Sequence, residues 1–181
     1  MTSSTGPPLP GGRPWDVVVI GGGNAGLVAA ITARQHARRV LVVERAQAPM
    51  RGGNTRHTRN IRCVHRRADE FTGPYPFDEL WRDLCGIGTG PSNEKLAELT
   101  VRESETVPGW MTDHGVRWQR PLAGTLLLGR TNHFFLGGGK ALVNTYHRPA
   151  AQMGIAVCYG TTVEDLVMDG DRCRGLVTAG A

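Results

Sequence analysis

The sequence has few lysines, few cysteines and no long hydrophobic run. Its hydrophobic stretches, such as WDVVVI and TLLLG, are far shorter than the roughly 20 residues of a membrane-spanning helix, so we expect no transmembrane segment. The N-terminal residues MTSSTGPPLPGGRP contain no hydrophobic core of a secretory signal peptide. The four cysteines show no CxxC pair and no metal-ligand spacing, which favours reduced thiols in the cytoplasm and predicts no metal site.

Basic residues are in excess, and nearly all of them are arginine. The chain of 181 residues has a formal net charge of +5, and its only lysines are Lys95 and Lys140. Arginine presents a planar set of donors that suits carboxylates and phosphates. This length suffices for one domain with a hydrophobic core. We expect a disordered lead over residues 1–14, which are rich in Pro, Gly and Ser, and one folded domain over residues 15–181.

The most informative stretch is WDVVVIGGGNAGLVAAITARQHARRVLVVERA. The apolar run over Trp15–Ile20 predicts a buried strand, and Val40–Val43 predicts a second buried strand that ends at Glu44. The apolar residues between them recur at helical spacing. A GxGxxG pattern lies between the first strand and the helix, at Gly21, Gly23 and Gly26. A strand, a glycine turn, a helix and an acidic residue after the second strand are typical of a dinucleotide-binding site.

Each position of this pattern has a physical reason. Gly21 permits the tight turn, Gly23 lets the backbone approach a pyrophosphate, and Gly26 lets the helix pack against the strand. The helix N-terminus offers N–H groups and a positive dipole to the phosphates. Glu44 can accept hydrogen bonds from ribose hydroxyls and disfavours a 2′-phosphate, which argues against NADP. The pattern alone leaves FAD, NAD and a turn that binds nothing as alternatives.

A dense cationic loop follows Glu44. The stretch GGNTRHTRNIRCVHRR, Gly52–Arg67, carries five arginines and two histidines. Such a loop could contact nucleic acid, a small polyanion, or solvent alone. It has no interleaved aromatic residues, and no helix-turn-helix or zinc pattern accompanies it, so we predict no nucleic-acid partner.

The same loop resembles the flavin-side loop of the fumarate reductase/succinate dehydrogenase flavoprotein superfamily. The residues GGNTRHTRNIRC carry the resemblance, which within the superfamily points to FAD-dependent tricarballylate dehydrogenases, and HFFLGGGKALVNTYHRPAAQMGIAV adds a similar helix start. The flavoprotein part of a cobalamin-pathway precorrin oxygenase is similar too. The resemblance implies FAD, held covalently or noncovalently, and hydride transfer between its N5 and a carbon of a di- or tricarboxylate.

The resemblance also implies which residues contact ligands. The residues implied to bind FAD are Gly21, Gly23, Asn24, Ala25, Gly26, Glu44, Arg45, Gly52, Gly53, Asn54, Thr55 and Val163. Among them the glycine turn would face the pyrophosphate, Glu44 the adenosine ribose, and backbone near Val163 the adenine. The residues implied to contact substrate are Arg56, His57 and Arg59. No catalytic residue can be assigned from the sequence.

The remaining segments predict helices and strands. FDELWRDLCGIG predicts a short helix with an apolar face of Leu80, Trp81 and Leu84. PSNEKLAELTVRESETVPGWMTDHGV predicts a helix that is capped by Ser92 or Asn93 and interrupted at Pro108, with an apolar side of Leu96, Leu99 and Val101. VRWQRPLAGTLLLGRTNHFFL predicts strands and turns, and the C-terminal residues predict a β-ribbon that turns at Asp169–Asp171. The predicted fold class is therefore α/β: a Rossmann-like FAD-binding domain with a parallel sheet, a βαβ start and an additional β-ribbon.

Flavoproteins of this superfamily continue much further, with a capping domain and the arginine proposed to deliver the proton. We therefore expect this chain to be the N-terminal, incomplete part of the FAD-binding domain of a dehydrogenase. We expect that enzyme in the cytoplasm or at the inner membrane, bound there through an electron-transfer partner. Its partners would be a polycarboxylate substrate and an electron acceptor protein or quinone-linked carrier. Two alternatives stay open: a catalytically silent FAD- or ADP-binding fragment that needs a partner chain, and an NAD-dependent Rossmann enzyme.

Overall fold

A computed structural model describes residues 12–66, 73–91, 93–120 and 128–180. Its strands are β1 (Val17–Ile20), β2 (Val40–Glu44), β3 (Asn60–Ile61), β4 (His133–Phe134), β5 (Ala156–Tyr159), β6 (Thr161–Asp169) and β7 (Arg172–Gly180). Its α-helices are α1 (Asn24–Arg34), α2 (Phe77–Cys85), α3 (Glu94–Glu103), α4 (Val107–Asp113), α5 (Leu128–Thr131) and α6 (Gly138–Gln152). Most of the predicted disordered lead lies outside the described residues, and residues 12–14 form no helix or strand.

The chain divides into two compact units. The first comprises residues 1–58 and 139–181, and it holds β1, α1, β2, most of α6, β5 and the ribbon. The second comprises residues 59–138 and is mainly helical. The predicted dinucleotide-binding pattern lies wholly in the first unit.

The first unit is built on a parallel sheet with the strand order β1-β2-β5. Its central strand β2 is buried along its whole length, and α1 contributes the fully buried side chains of Leu27, Ala30 and Ile31. The predicted βαβ start and parallel sheet are therefore confirmed. Strand β1 is only half-buried, and Ile20 is 54% exposed, because among the described strands β1 pairs with β2 alone.

The predicted β-ribbon is also present. Strands β6 and β7 pair antiparallel, with Asp169 opposite Arg172, so the chain reverses at the predicted turn. The pairing shifts register between Val163 and Asp165. From Glu164 onward the β6 side chains are exposed, whereas the first three residues of the strand are buried or half-buried.

The second unit confirms some helix predictions and corrects others. Leu80 of α2 lies in a cluster with Val64, Tyr75 and Val101, and Trp81 and Leu84 pack against it as predicted. The side chain of Asn93 caps α3 by accepting a hydrogen bond from the N–H of Leu96 at 2.9 Å, whereas Ser92 lies outside the described residues.

Of three further sequence predictions in this unit, one is wrong, one is confirmed and one is only partly described. Leu96 and Leu99 are 60% and 52% exposed. The buried side of α3 is instead the one that carries Val101 and the residues one helical turn from it, and the two leucines lie outside that side. The predicted interruption near Pro108 is confirmed: α3 ends at Glu103, and Pro108 lies in the first turn of the separate helix α4, where a missing N–H costs nothing. The strands and turns predicted for VRWQRPLAGTLLLGRTNHFFL lie partly outside the described residues, and the described part contains the strand β4 but also the short helix α5.

We expect acid to destabilise the fold through His147 and His133. Burial, and then the charge of Arg51, lowers the pKa of His147 to about 4, and burial followed by His65 lowers that of His133 to about 4. The unfolded chain takes up these protons near pH 6.5, so the folded state binds fewer protons over this range and stability falls as the pH drops from about 6.5 to about 4. Melting temperatures across this range check the expectation.

The variant His147→Gln tests the assignment. Glutamine carries no titrating charge, so the variant should lose part of the acid dependence of the melting temperature. His36→Gln replaces an exposed histidine and should keep the wild-type dependence. An identical dependence in His147→Gln and the wild-type chain would contradict the assignment.

Candidate functional site

The glycine turn joins β1 to α1. Gly21 has a φ of +95°, in the left-handed region that glycine adopts without strain, and its N–H donates to the carbonyl of Val43 at 2.8 Å. Helix α1 begins at Asn24, with Gly23 at the capping position and no side chain capping the helix. The N–H groups of Ala25 and Gly26 lie in the first turn, where a helix supplies no acceptor of its own. Within the described residues these two N–H groups donate to no acceptor, so the turn presents them to a ligand at the carboxyl end of the sheet.

Two glycines of the turn lie close to other backbone segments, and at one of them, Gly26, glycine is required. A Cβ on Gly26 would lie 1.9 Å from the carbonyl oxygen of Gly21, so the helix can pack against the turn only with glycine here. A Cβ on Gly23 would lie 3.3 Å from Thr55 Oγ1 and 3.5 Å from the carbonyl oxygen of Gly52. Gly23 therefore faces, across a narrow gap, the segment over residues 52–58, which we call the second loop.

Glu44 holds the backbone at the end of β2. One carboxylate oxygen accepts a hydrogen bond from the N–H of Gly22 at 2.7 Å, and the other accepts one from the N–H of Ala46 at 2.8 Å. The residue is 6% exposed. A carboxylate has about four acceptor positions, so further donors can still be accommodated. Arg45, the next residue, is exposed.

A hydrogen bond joins the glycine turn directly to the second loop. The N–H of Asn24 donates to Thr55 Oγ1 at 2.9 Å, across a sequence separation of 31 residues. The side-chain oxygen of Asn24 is buried and has no hydrogen-bond partner among the described residues. A buried acceptor without a donor is unfavourable, so this oxygen is suited to a ligand hydroxyl or N–H.

Helix α6 packs against the second loop, a contact that could not be predicted from the sequence. Gly52 has a φ of +101°, and a Cβ on it would lie 2.8 Å from the side chain of Val143. A Cβ on Gly139 would lie 1.9 Å from the carbonyl oxygen of Thr55, and the N–H of Gly139 donates to the carbonyl of Thr58 at 2.7 Å. The signal in the sequence is the GGGK at the helix start, where the third glycine admits this loop.

The remaining candidate residues are spread over the molecule. Gly53 and Asn54 are exposed in a short 3-10 helix, Gly53–His57, in which His57 is also exposed. Val163 lies half-buried in β6. Arg59 is exposed and belongs to the second unit, where its carbonyl accepts a hydrogen bond from the N–H of Phe135 at 2.9 Å.

Arg56 lines a cavity together with two other basic residues. The cavity measures about 270 Å³, and its lining residues are Pro49, Arg51, Arg56, Lys140, Val143 and Asn144. We call it the cationic cavity. Of its three basic residues, only Arg56 was among the predicted substrate contacts. Arg51 and Lys140 both line the cavity because α6 packs beside the second loop, although these two segments are far apart in the sequence.

These residues fit a dinucleotide cofactor. The helix N-terminus offers donors to a pyrophosphate, and the buried side-chain oxygen of Asn24 has no donor among the described residues, so it can accept one from a ligand. In the parts of the chain that the structure describes, no group of three His, Cys, Asp or Glu residues could hold a metal ion. Across the same ranges, every helix is too short or too polar to cross a membrane.

Comparisons with known proteins agree with this geometry. The chain is 30% identical over 169 residues to an NADH:fumarate oxidoreductase of Klebsiella pneumoniae, and the match covers 91% of this chain and 18% of that protein. It is 24% identical over 155 residues to a vinyl phenol reductase of Lactiplantibacillus plantarum, covering 82% of this chain and 30% of that protein. It therefore spans less than a third of each of these relatives.

A solved structure supports the fold. The open conformation of a flavocytochrome c3 fumarate reductase is similar with a TM-score of 0.69 at 21% identity, covering 91% of this chain and 31% of that chain. The FAD binding domain family matches residues 16–180. This match favours FAD over NAD as the dinucleotide, and with it the chain belongs to the FAD binding domain family.

Proposed function

We propose that this chain is the FAD-binding part of a flavoprotein oxidoreductase whose substrate is a di- or tricarboxylate. The observation that carries the proposal is the 30% identity with an NADH:fumarate oxidoreductase over 91% of this chain. Fumarate is a dicarboxylate, and tricarballylate, which the sequence resemblance indicates, is a tricarboxylate of the same chemical class. FAD, when bound, supplies the N5 position that exchanges a hydride with a carbon of the substrate.

The residues of this chain would bind and orient the cofactor. The N–H groups of Ala25 and Gly26 would donate to the pyrophosphate, with the positive end of the α1 dipole behind them. Glu44 would accept from ribose hydroxyls through its remaining lone pairs. Thr55 fixes the second loop against α1, and its exposed neighbours Gly53 and Asn54 would contact the same ligand.

The other assignments stay proposals. Arg45 would flank the adenosine from its exposed position after β2, and Val163 would lie beside the adenine. His57 and Arg59, both exposed, would contact substrate carboxylates. The electron partner would be a nicotinamide donor, an acceptor protein or a quinone-linked carrier. We propose residues 15–181 as the N-terminal part of the FAD-binding domain, in an enzyme of the cytoplasm or peripheral to the inner membrane.

The test begins with cofactor binding and then adds substrate. Purified chain is mixed with FAD and desalted, and retained flavin absorption is the expected result. Fumarate and vinyl phenol, which each have a C=C bond that can accept a hydride, are then added separately to chemically reduced flavin, and tricarballylate, which is saturated and can only donate a hydride, is added to oxidised flavin. Reoxidation by fumarate or bleaching by tricarballylate supports the proposal, whereas reoxidation by vinyl phenol alone overturns the substrate class. Retained flavin that reacts with none of the three would favour the catalytically silent fragment, and loss of all flavin on desalting would contradict the cofactor assignment for this chain.

We expect substitution of Gly23 to weaken FAD binding more than it weakens the fold. In Gly23→Ala the new Cβ lies 3.3 Å from Thr55 Oγ1, a distance that a small side-chain shift accommodates, but in the proposed site the added methyl group would also narrow the approach of the pyrophosphate to the backbone. Lost charge-assisted hydrogen bonds predict an increase in the Kd for FAD of roughly 10- to 100-fold. Gly23→Val, which is larger, should abolish binding. Fluorescence titration with FAD measures the Kd, and thermal melts of the same samples measure stability. An unchanged Kd in Gly23→Val would refute the assignment of the glycine turn.

A further inference from the structure

The cationic cavity has features that FAD binding by the glycine turn does not explain. It lies between the loop around Pro49 and helix α6, and its lining includes neither Glu44 nor any residue of the glycine turn. All of its lining residues belong to the first unit. Three of the six carry a positive charge and none carries a negative charge.

The arginines of the cavity are held in place by neutral acceptors. The guanidinium of Arg51 donates to the carbonyl of Ala48 at 2.7 Å and to the side-chain oxygen of Asn144 at 2.8 Å. Arg56 donates to the carbonyl of Pro49 at 3.2 Å. These bonds fix the orientation of two long side chains, so a ligand would not have to order them on binding.

The positive charges are not neutralised by the part of the chain that the structure describes. Within residues 12–66, 73–91, 93–120 and 128–180, no carboxylate forms an ion pair with Arg51, Arg56 or Lys140. The Nε of Arg51 is also buried without a hydrogen-bond partner there. Lys140 lies in the first turn of α6, where the helix dipole adds positive potential. Like charges gathered around one cavity repel each other, and an anion relieves that repulsion.

We propose that the cationic cavity binds a small molecule with two or more negative charges on carboxylate or phosphate groups. Arg51 and Arg56 would donate charge-assisted hydrogen bonds to its oxygens, and Lys140 would act as a mobile point charge at the entrance. Pro49 and Val143 supply apolar wall for a short carbon skeleton. A volume of about 270 Å³ suits a molecule far smaller than FAD. The site is independent of the cofactor assignment, so either can fail without the other.

The test is calorimetric titration of the whole chain at low ionic strength with inorganic phosphate, succinate and acetate, each with and without saturating FAD. We expect phosphate or succinate to bind more tightly than acetate, and binding to persist with FAD present. Tighter binding of succinate identifies carboxylates as the natural class, and tighter binding of phosphate identifies phosphorylated compounds. Competition by FAD would place the anion on the glycine turn and overturn the proposal.

Matched variants locate the site. Lys140→Gln and Arg56→Gln each remove one charge from the cavity, and each should raise the Kd of the preferred anion about tenfold. Arg148→Gln removes one exposed charge from the same helix α6 outside the cavity, and its Kd should equal that of the wild-type chain. Equal losses in all three variants would show general attraction to a basic protein, and no loss in Lys140→Gln and Arg56→Gln would exclude the cavity. Either result overturns the proposal, as does equal affinity for acetate and the two dianions.

Discussion

Gly26→Ala is expected to lower the free energy of unfolding by about 3 kcal/mol or more and to abolish FAD binding. The new Cβ would lie 1.9 Å from the carbonyl oxygen of Gly21, and 3.0 Å from its carbonyl carbon. Both are backbone atoms, so no side-chain rotation can relieve the overlap. Helix α1 must move away from the turn. The free-energy cost should lie at or above the upper end of the range for overpacked cores. The same movement carries the helix N-terminus away from the pyrophosphate position.

Thermal melts and FAD titration measure these two losses together. For a chain of this size, about 3 kcal/mol corresponds to a decrease in melting temperature of roughly 6–12 °C. Gly109→Ala is the matched control, because Gly109 lies in α4 with nothing within 4 Å of its Cβ position. Alanine there favours the helix by about 1 kcal/mol, so this control should melt at a slightly higher temperature. A Gly26→Ala chain that melts like the control would show that α1 does not pack on the turn as described.

The contrast between Gly23 and Gly26 shows how far the sequence determines the site. The GxGxxG pattern and its β-strand context predicted the turn, the helix and the packing of Gly26, because these features are local to one βαβ unit. The role of Gly23 depends on what faces it. The structure places the second loop there, with Thr55 bound to the N–H of Asn24 across 31 residues of sequence. The sequence resemblance assigned both segments to one ligand, but only the structure shows the hydrogen bond that joins them.

Contacts between segments that are far apart in the chain could not be predicted from the sequence. Arg51 donates a hydrogen bond to Asn144, 93 residues away in the sequence, and no periodicity or motif predicts this pair. The exposed Leu96 and Leu99 illustrate the same limit, because helical spacing identifies an apolar side only when the helix buries one continuous stripe. In α3 the buried stripe runs through Val101, and the two leucines lie off it. Packing partners, which are set by tertiary structure, decide which apolar residues become core.

Gly139→Ala is expected to be as damaging as Gly26→Ala, although it lies far from the dinucleotide-binding pattern in the sequence. A Cβ on Gly139 would lie 1.9 Å from the carbonyl oxygen of Thr55 and 2.8 Å from that of Thr58. The overlap would separate α6 from the second loop and break the hydrogen bond from the N–H of Gly139 to Thr58. We expect a loss of about 3 kcal/mol or more in the free energy of unfolding.

The Kd of Gly139→Ala for FAD shows whether Gly139 supports the cofactor site as well as the fold. If α6 positions the second loop, then Gly139→Ala should weaken FAD binding even at temperatures well below its melting transition, because Thr55 is displaced from Asn24. Arg148→Ala, an exposed change on the same helix, should alter neither the melting temperature nor the Kd for FAD. A Gly139→Ala chain that is destabilised but binds FAD normally would show that the glycine turn holds the cofactor without the second loop. Normal stability would instead show that α6 and residues 55–58 do not meet, and the cationic cavity between them would then lose its basis as well.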